Sequence, residues 1–292
     1  MNYGFSTGEE LIRLCENEKI TIAEVMLRHE TETCERSRDE LVNEMFENLM
    51  TMQESIRIGL EEDQETMTGL AGNNAEKLLA YVEKSNMGPD MARICSAALA
   101  VAEVNASMGK IVAAPTAGSS GVIPAVLVMC SEKHSFTDRD LVNGLFAAGA
   151  IGIIIAKNAS ISGAEGGCQA EIGTASAMAA GALTELCGGT PAQALTAAAM
   201  ALKNILGLVC DPVAGLVECP CIKRNAMGAA NAVLCADMAL SGVTSIIPFD
   251  EVVNAMRSVG RMMNVDLRET AKGGLAVTPT ALEIAKRIHD EN

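Results

Sequence analysis

Three cysteines stand in settings that suit metal ligands. Cys168 lies in Gly166-Gly167-Cys168-Gln169, Cys210 opens Cys210-Asp211-Pro212 directly after an apolar run, and Cys221 closes Cys219-Pro220-Cys221. Three thiolates can hold an iron–sulfur cluster and leave one iron open. An open iron is a Lewis acid that can take the oxygen of a leaving hydroxyl. The pattern therefore points to a dehydration rather than to electron transfer. Spacing alone does not prove it: 42 positions separate the first pair and 11 the second, which is neither a ferredoxin run nor a C-x₂-C zinc pattern. Cys219 is an alternative to Cys221 as ligand, or an auxiliary thiol. The other six, Cys15, Cys34, Cys95, Cys130, Cys187 and Cys235, fall in helical patterns and read as small apolar fillers. His29, His134 and His289 have no metal-ligand pattern around them; His134 is expected in a turn.

Two further polar loops accompany the cysteines. Thr116-Ala117-Gly118-Ser119-Ser120-Gly121 precedes a helix, where hydroxyls and backbone N–H groups can hold a carboxylate or a phosphate. An ordinary Gly/Ser turn capping a helix is the plain alternative. The second loop runs from Lys157 through Asn158, Ser160 and Glu165 to Cys168. It packs a cation, an amide, hydroxyls, a carboxylate and a thiol into twelve residues, and functional groups concentrate on such loops. Lys157 is the candidate base or electrostatic helper, with a snorkelling helix C-terminal lysine as the plain reading. Thr116, Gly118, Ser119, Ser120, Gly121, Asn158 and Ser160 are the candidate substrate contacts.

The elements that must position these loops are helical. Apolar residues make up 49% of the 292, but aromatics only 2%, so the core must be built from Ala, Leu, Ile, Val and 17 Met. Helices are expected at Pro89–Met108, Ser120–Cys130, Asp138–Ala156, Gln169–Leu186, Pro191–Leu206, Asn225–Leu240, Phe249–Met263 and Pro279–Asp290, and no strand alternation is convincing. Residues 1–65 are highly charged and form an N-terminal helical arm. A capping pattern at Thr7-Gly8-Glu9-Glu10 starts one helix, and a run from Glu32 to Glu61 carries Leu41, Met45, Leu49 and Met52 on one stripe. The expectation is a mostly α fold: this arm, then a compact all-helical catalytic domain over residues 66–292.

The net charge of −15 makes nucleic acid and anionic membranes poor partners. The opening Met1-Asn2-Tyr3-Gly4-Phe5 has no export signal, which implies a reducing cytoplasm, where clustered thiols are ligands rather than bridges. The longest apolar stretch, Gly144 to Ala156, falls short of the ~18 to 20 residues of a membrane span.

At its loops the sequence resembles the alpha chain of two-subunit, iron–sulfur-dependent bacterial L-serine dehydratases. The matching pieces are Pro115-Thr116-x-Gly118-x-x-Gly121-x-Ile123-Pro124, Asn158-Ala159-Ser160-Ile161-Ser162-Gly163-Ala164-Glu165-x-Gly167-Cys168-Gln169, Cys210-Asp211-Pro212-x-x-Gly215-Leu216-Val217 with Pro220-Cys221-Ile222-x-Arg224-Asn225-Ala226, and Arg268-Glu269-Thr270-x-x-Gly273-Gly274-Leu275-Ala276. The resemblance implies an all-helical catalytic domain and an oxygen-labile [4Fe–4S] cluster on Cys168, Cys210 and Cys221, with Cys219 left out. It also implies L-serine as substrate, a partner beta chain and an oligomeric assembly. Two departures stand out. Ala117 replaces the Asn of many relatives, and the ending His289-Asp290-Glu291-Asn292 has no cysteine tail, so substrate, solvent or the partner must fill the fourth iron site. The expected reaction gives pyruvate and ammonia, with a His of the beta chain as an equal candidate base. Rival readings are a cluster-dependent L-cysteine desulfidase, a pyridoxal-phosphate dehydratase and a non-enzymatic helical regulatory subunit.

Overall fold

The computed structural model describes residues 3–290; Met1, Asn2, Glu291 and Asn292, which belong to the opening and closing segments read above, lie outside the described residues. Thirteen α-helices and no β-strand occur among them: α1 Gly8–Glu18, α2 Ile22–Thr33, α3 Arg38–Glu61, α4 Asn74–Ala80, α5 Pro89–Ala106, α6 Val122–His134, α7 Asp138–Asn158, α8 Gly163–Gly166, α9 Thr174–Leu186, α10 Pro191–Asn204, α11 Cys221–Leu240, α12 Phe249–Met262 and α13 Pro279–Asp290. Among the described residues the only pairing of extended backbone is one isolated parallel bridge between Cys210 and Arg268.

The all-helical expectation holds, and its physical reason is visible at the centre. Helix α9 is buried from Thr174 to Thr184 and is packed by α7, α10, α11 and α6. Its alanines Ala175, Ala177, Ala179, Ala180 and Ala182 have no exposure. Side chains this small let neighbouring backbones approach, so close packing replaces the bulk that aromatic residues would supply. Ile151, Ile154 and Ile155 of α7 are fully buried beside them, each contributing about 1.5–3 kcal/mol relative to exposure. Phe5, Leu11, Ile22, Leu27, Leu49 and Met52 of the first 65 residues join this same apolar core.

Several helix boundaries differ from the sequence reading. The run Glu32–Glu61 is broken: α2 ends at Thr33, and Ser37 caps α3 in a capping box with Glu40. A polar capping signal thus overrides the continuous charge pattern. Lys157 and Asn158 belong to the last turn of α7 rather than to a loop, and His134 is the last residue of α6 rather than part of a turn. The helix expected from Gln169 begins as a π-helical turn, Gln169–Gly173, a distortion frequent at functional sites. Helix α7 is also longer than its apolar run. By length and composition it could cross a membrane, but 67% of its apolar window is buried inside the protein, which marks a core helix.

Candidate functional site

The three candidate ligands come from three different segments. Cys168 follows Gly167 and opens the π turn into α9. Cys210 sits in extended backbone, donating its N–H to the Leu267 carbonyl (2.9 Å) and accepting from the Glu269 N–H (2.8 Å). Cys221 is the first residue of α11. All three are buried, whereas Cys219 is partly exposed, and no disulfide occurs among the described cysteines. They are electrostatic neighbours. Burial pushes the Cys168 thiol up to about 11. It pushes Cys221 up to about 12, with ionised Cys168 adding to the rise. Burial raises Cys210 further still, reinforced by Cys168, Glu171, Glu269 and Cys221. Such thiols stay protonated until a cation shares the site, and metal binding releases their protons.

Glu171 is the site residue that sequence reasoning missed. It stands three positions after Cys168 in the π turn, and its pKa is raised by burial, against the lowering hydrogen bond from Thr116. Its Oε1 accepts from Thr116 Oγ1 at 2.7 Å, and its Oε2 lies 4.0 Å from Cys210 Sγ. Gly163 is glycine for the same reason: a Cβ there would lie 2.6 Å from Glu171 Oε2 and 3.1 Å from Cys210 Sγ. One carboxylate thus joins the Thr116 loop, the turn before Cys168 and the Cys210 segment. The spacing Cys168-x-x-Glu171 was the available signal, hidden because an acidic residue inside a helical pattern reads as surface.

Polar clamps lock the segments together. Asn225, one turn into α11 from Cys221, accepts from the Gly121 N–H (3.0 Å) and donates to the Gly118 carbonyl (2.8 Å). Glu218, only 4% exposed, accepts from the Thr68 N–H and Oγ1 at 3.1 and 2.8 Å. Arg224 donates to the Val209 carbonyl (2.8 Å) and to Asp211 Oδ1 (2.9 Å), and its charge holds the Cys168 thiol down against the effect of burial. Asp211 Oδ2 in turn accepts from the Leu275 N–H at 2.7 Å. Gly274 has φ +60, and a Cβ there would lie 2.4 Å from Asp211 Oδ2, so this closure requires glycine.

The remaining candidates divide into two groups. Thr116, Gly118, Ser119, Ser120 and Gly121 adjoin Glu171 and α11, but most of their donors are engaged internally. The N–H groups of Ser119, Ser120 and Gly121 donate to Thr116 O, Ala117 O and Asn225 Oδ1, and Ser119 and Ser120 have no exposure. Lys157, Asn158 and Ser160 lie elsewhere. They line a cavity of about 220 Å³ with Glu165, Gln169, Arg257 and Arg261. Lys157 Nζ donates to the Phe5 carbonyl at 3.0 Å and sits 5.7 Å from the centre of the Phe5 ring. Asn158 Nδ2 donates to the carbonyls of Ser6 and Ile154, and Ser160 Oγ to Glu165. None of these three has a hydrogen bond to the three cysteines.

Among the described residues no three His, Cys, Asp or Glu side chains stand at the distances of a closed metal centre. The donor chemistry nevertheless fits an anionic thiolate-bound group. Three buried thiols neighbour one another, and Arg224 faces one of them. Arg268, whose backbone pairs with that of Cys210, also keeps a buried Nε without a hydrogen-bond partner.

An all-helical domain that gathers buried thiols and a buried carboxylate on convergent polar loops is the architecture of a loop-built active site. A family model described as "Serine dehydratase alpha chain" matches residues 17–276, and the chain belongs to that family. It is 51% identical over 97% of its length to the "Probable L-serine dehydratase, alpha chain" of Bacillus subtilis (strain 168), covering 95% of that protein. It is 45% identical over 96% of its length to the "L-serine dehydratase, alpha chain" of Peptoniphilus asaccharolyticus, covering 97% of it. The "L-serine dehydratase" of Streptomyces coelicolor is 43% identical over 95% of this chain, which spans 62% of that longer protein.

Proposed function

We propose that this chain is the alpha subunit of an L-serine dehydratase, converting L-serine to pyruvate and ammonia in the cytoplasm as a step of amino-acid catabolism that supplies pyruvate for gluconeogenesis. The observation that carries the reading is the convergence of Cys168, Cys210, Cys221 and Glu171 from separate segments onto one buried locus. We assign the three cysteines as ligands of a [4Fe–4S] cluster. When bound, its open iron supplies a Lewis acid for the departing hydroxyl.

The chain's own residues do the rest. The loop Thr116–Gly121 adjoins the thiols and holds the substrate carboxylate once its internal hydrogen bonds are exchanged for substrate. Glu171 Oε2, beside Cys210, accepts from the substrate ammonium. Burial of the locus excludes water and strengthens both contacts. Loss of water leaves aminoacrylate, which hydrolyses to pyruvate and ammonia without the enzyme. The α-proton is weakly acidic and needs a positioned base. Lys157 was the candidate from sequence; its tie to Phe5 favours a base from the partner beta chain. The near-full match to relatives named as alpha chains supports a partner beta chain in the working oligomer.

The test is anaerobic purification with the candidate beta chain, iron and sulfide analysis, and a serine-to-pyruvate assay. About four irons per alpha chain and air-sensitive pyruvate formation are expected. Activity without iron would overturn the assignment, and faster turnover of L-cysteine than of L-serine would make the chain a desulfidase.

A further inference from the structure

We infer that Arg224, paired with Asp211, is the residue that assembles the three thiol segments and sets the electrostatic potential at the group they hold. The inference rests on the assignment of Cys168, Cys210 and Cys221 as ligands.

Arg224 is hydrogen-bonded to two of the ligand-bearing segments and acts on the third by its charge. It lies one turn after Cys221 in α11, its N–H donating to the Pro220 carbonyl at 3.2 Å. Its guanidinium reaches the carbonyl of Val209, immediately before Cys210, and the carboxylate of Asp211, immediately after it. The positive charge of the same guanidinium opposes the rise that burial imposes on the Cys168 thiol. Cys168 and Cys221 are separated by 53 positions in the chain, yet this one side chain spans them. Only arginine has the planar fork of five donors for such a role; lysine presents one point charge.

The electrostatics follow from burial. Three thiolates form a dense negative charge, and low local dielectric magnifies the effect of any nearby ion. Arg224 is the cation whose charge acts on the Cys168 sulfur, and charge near the sulfurs sets a cluster's reduction potential. Asp211, 3% exposed, opposes it. The pair is poised: removing either partner leaves the other as an uncompensated buried charge.

The experiment compares Arg224→Gln, Arg224→Lys and Asp211→Asn with the wild-type chain, each with its beta chain and prepared anaerobically. Three readouts are taken: iron and sulfide content after reconstitution, the sulfur-to-metal absorption band on titrating the apo protein with Co²⁺, and the cluster's midpoint potential. Arg224→Gln is expected to weaken Co²⁺ binding at least tenfold and to lower iron content. Its residual cluster has a midpoint potential more negative than wild type. Asp211→Asn shifts the potential the opposite way, and Arg224→Lys keeps it near wild type while losing part of the metal affinity. A purely structural role would not give shifts of opposite sign. Circular dichroism confirms that the variants are folded; if Arg224→Gln is not, Asp211→Asn and Arg224→Lys carry the comparison. Wild-type Co²⁺ affinity and potential in all variants would overturn the inference alone. Absence of both iron and the cobalt band in the wild type would overturn the ligand assignment, and the inference with it.

Discussion

Cys95 and Cys235 are as buried as Cys168, Cys210 and Cys221: 4% and 0% exposed against 3%, 3% and 8%. Burial raises all five thiols. The difference lies in their company. Burial is the sole cause at Cys95, and at Cys235 the one other influence is Lys203. The site thiols face each other, Glu171 and Arg224. Neither burial nor thiol count, then, separates a filler cysteine from a proposed ligand. Cys95 and Cys235 have hydrogen-bond partners too, Ala226 O for the first and Asn204 and Asn231 for the second; the separating property is that the site thiols act on one another and on a buried carboxylate.

The sharpest way to break this comparison is to truncate one thiol of each kind. Cys168→Ala should abolish both iron binding and pyruvate formation. Cys95→Ala should keep full iron content and lose only about 1 kcal/mol of stability, measured by denaturant titration. Equal iron loss in both variants would erase the distinction. Next comes Glu171→Gln, which keeps size but removes charge. Serine turnover should fall about 100-fold with iron content unchanged; unaltered turnover would make Glu171 a purely structural joint.

A smaller effect comes from alkaline pH. The Cys95 and Cys235 thiols stand at about 11, above an ordinary 9.0. Their folded-state values are raised, so the stability they contribute is fully present below pH 9 and is lost as pH rises from 9 towards 11. The melting temperature should fall across that window, and Cys235→Ala should lessen the fall. The smallest effect is expected at Lys157→Met. Loss of its bond to the Phe5 carbonyl should cost about 1 kcal/mol or less, read from the melting temperature. A drop in turnover beyond tenfold would instead place Lys157 in the chemistry.

Much of this was legible in the chain. Capping signals and the Ala-rich composition gave the helices, since both act locally, and Pro89 and Pro191 mark the starts of α5 and α10. The three cysteines were legible because Gly and Pro neighbours set them apart from helical filler. Glu171 was not, because its importance comes from Thr116 and Cys210, 55 and 39 positions away in sequence. The partner of Lys157 was hidden for the same reason. Helix α7 runs two residues past the expected Ala156 and hands the Lys157 ammonium to Phe5, a residue 152 positions away. Local pattern specifies elements, while the meeting of remote polar groups depends on packing that no window of sequence contains.

The bridge between Cys210 and Arg268, together with the Asp211–Leu275 bond, has a consequence for how the protein is made. Arg268 is synthesised one hundred residues after Cys168. At ribosomal speeds of about 5–20 residues per second, that interval is on the order of 5 to 20 seconds. Throughout it Cys168 has left the peptidyl-transferase centre while the strand that closes its site does not yet exist. The nascent chain therefore carries the Cys168 thiol unenclosed over that interval, and the last quarter of the polypeptide decides when it ends.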